Sequence, residues 1–277
     1  MKISKTRYQI RKEIQQLSRI DSSKISIPYL TSKVDSLLKG MWTPWFGGPF
    51  YEVWRARSGF YNNISELWCP PAECVLKRGR MNDINESIFY SCFGHNANLG
   101  SLEEIRTEVG DIVTQLCCKL DPEDKILKVL SLGHADIWMK EKAPDYMKQY
   151  FIDAEARYKA DCGTDEQYSR SLVLKNWVND TFIEKVNDGQ ECKYAHSIAI
   201  SKAFFSGFDC EGILYPSVAS NAKAVNLVLK PRVAEAYLKP NYARVVEIVS
   251  KSSQGFGLKI KNESKSISSD GTINWSW

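Results

Sequence analysis

Histidine is scarce in this chain: there are three, His95, His134 and His196, far apart and without HExxH-type spacing. No CxxC pair is present, and Cys69-Pro-Pro-Ala-Glu-Cys74 stands without the further ligands that a zinc site needs. No bound metal is therefore expected. The sequence has no GxGxxG run, which removes a Rossmann fingerprint. It has no GxSxG elbow, which removes an α/β-hydrolase nucleophile. No apolar run approaches the roughly 18 residues of a membrane span. The N-terminal stretch MKISKTRYQIRKEIQQ is basic but has neither the apolar core nor the cleavage site of a secretory signal. An excess of one charge is also missing. The 37 Lys and Arg against 33 Asp and Glu leave +4, too little to argue for nucleic acid.

What is present is an ordinary globular composition. The 277 residues are 43% apolar and 25% charged, with 8 Trp, 13 Tyr and 11 Phe, enough for one large domain or two small ones. The 8 cysteines, with no secretory signal, are expected to be free thiols in a reduced, cytoplasmic protein.

Hydrophobic spacing divides the chain. Ile10, Ile14, Leu17 and Ile20 mark an amphipathic helix over 5–20, and a second helical pattern runs from Leu30 to Leu38. The Gly-, Pro- and Trp-rich stretch at 40–49 reads as a loop joining an N-terminal helical extension, 1–45, to a main domain, 46–277. FYEVWRAR and SIFYSCF read as strands. Leu102, Ile105, Val109, Ile112, Val113, Leu116 and Leu120 predict one long helix that tolerates a single glycine. ILKVLSL is strand-like, 144–186 is polar with helical spacing, and Tyr194–Ser206 is helical. GILY, AVNLVL, VVEIVSK and GLKIKN are strand-like. Strands and helices mix without a βαβ repeat, which predicts an α+β fold.

Several polar residues sit at the ends of apolar elements. Arg55 and Arg57 lie in the strand-like VWRARSG, Arg80 follows a glycine in RGRMN, Tyr90 ends SIFY, and Ser217 closes GILYPS. Each has a structural explanation. Pro216 ends a strand because it lacks a ladder donor, and serine is common in turns. Glu104, three residues after Ser101, fits a capping box. Arg55 fits an ion pair, Tyr90 a core position, and Arg80 a solvated loop. Converging instead, these groups would form a pocket for an anionic, partly aromatic ligand.

In order, VWRARSG, RGRMND, SIFYSCF, SLEEIR and GILYPSV…NLVL resemble the RES-domain family, named for its Arg, Glu and Ser. The resemblance covers about residues 50–235. Known members are bacterial toxins that destroy NAD, have a core similar to ADP-ribosyltransferases, and are held inactive by an antitoxin. The resemblance thus implies an ADP-ribosyltransferase-like mixed sheet with flanking helices, NAD as substrate without a metal, and an inhibitory protein partner. It implies catalytic roles for Arg55, Glu104 and Ser217, and NAD-binding roles for Arg80, Tyr90 and Asn226. Glu103 is the neighbour that a one-residue slip would select. Met81 replaces the family's Trp, the Tyr90–Glu104 segment is long, and the first 45 residues and the 144–186 helices exceed the compact pattern. A non-catalytic RES-fold module that senses a ligand or binds a partner is the alternative.

The residue types suit that chemistry. Breaking the nicotinamide–ribose bond builds positive charge on the ribose, which a carboxylate stabilises. Arginine forks pair with pyrophosphate oxygens, and an aromatic ring stacks on nicotinamide.

Overall fold

Thr6 starts the first helix by accepting a hydrogen bond from the Gln9 N–H, while Gln9 Oε1 accepts from the Thr6 N–H. This reciprocal capping box satisfies two donors that a helix start would otherwise leave unpaired. The computed structural model describes residues 2–41, 45–48, 52–133, 145–207, 209–221, 223–252 and 255–276. His134, the Phe50–Tyr51 start of the FYEVWRAR run, residue 144, and residues 42–44 and 49 of the expected loop lie outside them.

The helices are α1 (Arg7–Ser18), α2 (Ile27–Leu38), α3 (Ala97–Glu104), α4 (Asp145–Cys162), α5 (Asp165–Ile183), α6 (Ala195–Gly207) and α7 (Pro231–Tyr237). The strands are β1 (Trp45–Gly48), β2 (Val53–Ser58), β3 (Phe89–Phe93), β4 (Ile112–Leu120), β5 (Leu127–Ser131), β6 (Gly212–Pro216), β7 (Val225–Leu229), β8 (Leu238–Ser252), β9 (Gly255–Ile267) and β10 (Ile273–Trp275). The architecture is α+β. The chain divides into two compact units, one of Met1–Phe46, Val75–Glu86 and Lys128–Tyr215, the other of Gly47–Cys74, Ser87–Leu127 and Pro216–Trp277.

In the first unit α2 packs against α6, burying Leu30, Val34 and Leu37 with Ile198 and Ala199. β5 and β6 pair in parallel, and β6 is buried along its whole length. A strand covered on both faces reads as a continuous apolar run, which is why GILY carries no alternation.

The second unit holds the antiparallel strand order β7-β3-β2-β4-β8-β9-β10. α3 lies on one face, where Leu99, Leu102 and Ile105 pack with Ala56, Val113, Val246 and Ile248. Gly100 makes this approach possible: a Cβ there would lie 2.3 Å from the Ala224 Cβ.

The single helix expected over 102–120 is instead the end of α3, a turn, and the strand β4. Gly110, at φ +96°, sits in that turn rather than inside a helix. β4 is buried on both faces apart from Ile112 and Lys119, so its apolar residues fill helical spacings as readily as strand ones.

One ladder in this unit parts. β2 and β3 pair only at Val53↔Phe93 and Trp54↔Cys92. Beyond those pairs β2 continues with β4 as far as Ser58↔Val113, and β3 continues with β7 as far as Phe89↔Leu229.

Candidate active site

Glu104 is the last residue of α3, so the capping-box explanation fails on position. Ser101, its supposed partner, donates to Asn98 O at 2.7 Å and accepts from Gln115 Nε2 at 2.9 Å. The bond from Gln115 ties α3 to β4. At the helix end Glu104 is exposed as a residue, yet its Oε1 accepts two hydrogen bonds. Ser217 Oγ donates at 2.6 Å and Asn226 Nδ2 at 2.8 Å. Among the described residues Oε2 has no hydrogen-bond partner. The two donors fix the carboxylate plane and leave one oxygen open to a ligand.

Both donors are themselves held. Ser217 is fully buried and follows directly on β6, at the head of a turn that leads into β7. Its N–H donates to Ala224 O at 2.9 Å, and its Oγ accepts from the Ser220 N–H at 3.1 Å. Because that lone pair is taken, the hydroxyl proton points to Glu104. Ser220 Oγ donates to Ser217 O at 3.2 Å and accepts from the Ala224 N–H at 3.1 Å, which closes the turn. Serines three residues apart are a turn signal, and Ser220 is legible in the sequence on that ground alone. Asn226, 3% exposed, stands opposite Cys92 in the β3–β7 ladder.

Tyr90 lies two residues from Cys92, on the same strand face, and is cross-paired with Val228. Its carbonyl accepts from Arg55 Nη1 at 2.7 Å.

Arg55 does not join the cluster. Strand alternation puts Trp54 with Cys92 and Asn226, and Arg55 on the opposite face. Its guanidinium lies 5.4 Å from the Phe89 ring centroid, where the β2–β3 ladder parts. There it takes the carbonyl that a continued ladder would have used. Burial pulls this guanidinium below its ordinary value, and Nε is closed to solvent with no partner. No ion pair forms at Arg55 among the described residues, so the explanation by a salt bridge fails too. Arg57 shares its face, donates to Glu66 O, and stacks over the Tyr61 ring.

Arg80 belongs to the first unit and is buried, not solvated. It donates to Glu184 O at 3.0 Å and Thr181 O at 3.5 Å, carbonyls at the C-terminal end of α5. A cation there satisfies orphan carbonyls and meets the negative end of the helix dipole. The rings of Tyr194 and Tyr215 flank it at 5.1 and 5.9 Å.

All 8 cysteines are free thiols. Among the described residues no group of three or more His, Cys, Asp or Glu is placed to hold a metal ion, and no helix is long and apolar enough to cross a membrane. No family model matches the chain, and no curated protein matches it.

Proposed function

We propose that this chain consumes NAD by cleaving its nicotinamide–ribose bond, on an ADP-ribosyltransferase-like core, with Glu104 as the catalytic carboxylate. One observation carries the reading: a glutamate, a serine and an asparagine from three separate stretches meet at a single carboxylate oxygen. An exposed carboxylate with both donors on Oε1 suits a group that must face a developing cation without turning away from it.

In the reaction the C1′–N bond breaks and its electron pair leaves with nicotinamide. Glu104 Oε2 faces the charge that builds on the ribose and accepts from its hydroxyls. An acceptor oxygen, from water, phosphate or a macromolecule, then bonds to C1′ and loses its proton. Ser217 and Asn226 act by orientation, and Tyr90, on the face that carries Asn226, offers its ring to the nicotinamide. Arg80, in the first unit, is already committed to the Glu184 and Thr181 carbonyls. Arg55 reaches a pyrophosphate only through the parting of β2 and β3. A protein inhibitor of the antitoxin kind belongs to the same reading, because uncontrolled NAD loss would be lethal.

The occupied state of both arginines favours a second reading, in which the fold binds a ligand without turning it over. Purified chain incubated with NAD, with and without phosphate, separates the two. Nicotinamide should appear, together with ADP-ribose or its phosphorylated form, and Glu104→Gln should slow its release by roughly 100- to 1000-fold. No nicotinamide under either condition, with NAD still bound, leaves the binding module standing.

A further inference from the structure

We infer that Cys92 is a positioning residue: its thiol decides which end of the Asn226 amide faces Glu104. The kinetic part of this inference rests on the NAD reading, and the structural part does not.

An asparagine amide is a fork with an acceptor on one prong and donors on the other, nearly identical in shape. A carboxylate accepts only, so Asn226 serves Glu104 in one of its two flips. In the other flip Oδ1 would face Glu104 Oε1, two acceptors opposed in a part-buried setting. Cys92 Sγ donates to Asn226 Oδ1 at 3.2 Å, which sets the productive flip before any ligand arrives. The contact follows from strand register. Cys92 and Asn226 are directly opposite in an antiparallel ladder, where Cβ atoms stand about 5 Å apart.

The thiol is confined as well as close. Cys92 is 2% exposed, and a Cβ added at Gly100 on the overlying α3 would lie 3.5 Å from its Sγ. Burial first, and the Glu104 charge second, raise the thiol well above its ordinary value, so it keeps its proton and remains a donor. An inert buried cysteine therefore has a use that reactivity would spoil.

The experiment compares Cys92→Ala, which removes the donor, with Cys92→Ser, which keeps one. For NAD turnover, Cys92→Ala should lower kcat roughly two- to tenfold with KM unchanged, and Cys92→Ser should recover most of the loss. In an Asn226→Ala background, Cys92→Ala should cost nothing further. Additive losses, or a serine variant no better than alanine, overturn the proposal. In ¹⁵N-labelled protein the Asn226 side-chain amide protons should shift or broaden in Cys92→Ala and return in Cys92→Ser. Unchanged amide resonances in Cys92→Ala also overturn it. Should wild-type protein release no nicotinamide, the NAD reading fails on that result alone, and the amide resonances still decide the role of Cys92. If Cys92→Ala does not fold, the serine variant carries the test: its amide resonances should match wild type, and a flipped or averaged pair sinks the idea.

Discussion

Ser217 Oγ and Glu104 Oε1 stand 2.6 Å apart although 113 positions separate them in sequence. The serine is fully buried and the glutamate exposed, so the bond runs from the interior outward and tethers a surface carboxylate to the core.

Ser217→Ala should therefore injure both activity and stability. It removes a donor to Glu104 and strands the buried Ser220 N–H that Ser217 Oγ accepts. A stranded buried donor costs about 1–3 kcal/mol. Urea unfolding should show a loss of that size, and nicotinamide release should fall in parallel. A variant as stable as wild type would mean that water or backbone movement replaces the hydroxyl.

Glu103 should show itself in the pH dependence of stability. Burial raises Glu103 above its ordinary carboxylate value, against the attraction of Lys251 and Lys223. The folded chain then holds this proton to higher pH than the unfolded chain does. Its contribution to stability is greatest below the unfolded value, near pH 4.5, and is lost as pH rises through the folded one. Glu103→Gln should gain in stability relative to wild type as pH rises through that window, with turnover little changed. Urea midpoints measured across the window check the sign, and a large loss of turnover would make Glu103 the site carboxylate.

Gly100→Ala should cost more than helix propensity returns. Alanine gains about 1 kcal/mol in a helix interior, but the new Cβ would meet the Ala224 Cβ at 2.3 Å. Something must move, and overpacking of this kind typically costs about 1–3 kcal/mol. If α3 lifts, Glu104 lifts with it, so turnover should fall beyond what the fraction folded explains. A thermally stabilised Gly100→Ala would show that the helix has room.

At Arg55, shape and charge should come apart. Arg55→Met keeps the stem and discards a buried charge, an exchange that is often near neutral, but it removes the Arg55 Nη1 donor from the Tyr90 carbonyl. Arg55→Lys keeps the charge and loses the planar fork. The lysine variant should be the less stable of the two, read from thermal midpoints at one protein concentration. Turnover should drop less in either variant than in Glu104→Gln. The reverse order for turnover would place Arg55 against the ligand.

Much of the architecture was legible because its signals are local. The spacing of Ile10, Ile14 and Leu17 gave α1, and the runs at Phe89–Phe93 and Val225–Leu229 gave β3 and β7. The α3–β4 segment misled because burial on both faces erases the two-residue period of a strand. α7 and β10 are short and passed unnoticed. Glu104, Ser217 and Asn226 drew notice as an ordered set, while their meeting at one oxygen depends on tertiary placement. Alternation places Arg55 and Arg57 on one face of β2, but which face needed the pairing of Trp54 with Cys92. Cys92 gave no local signal, since its partner is set by register across 134 positions.

The parting of β2 from β3 leaves a seam inside a sheet: among the described residues no ladder pair joins Arg55–Ser58 to Phe89–Ser91. Unpaired peptide groups along a strand are a template for another strand, and natural sheets guard such edges with charge. Arg55 stands in the seam as a gatekeeper. Its neutral variants would be read most directly by light scattering on warming, since a seam without its guard invites a strand from another molecule.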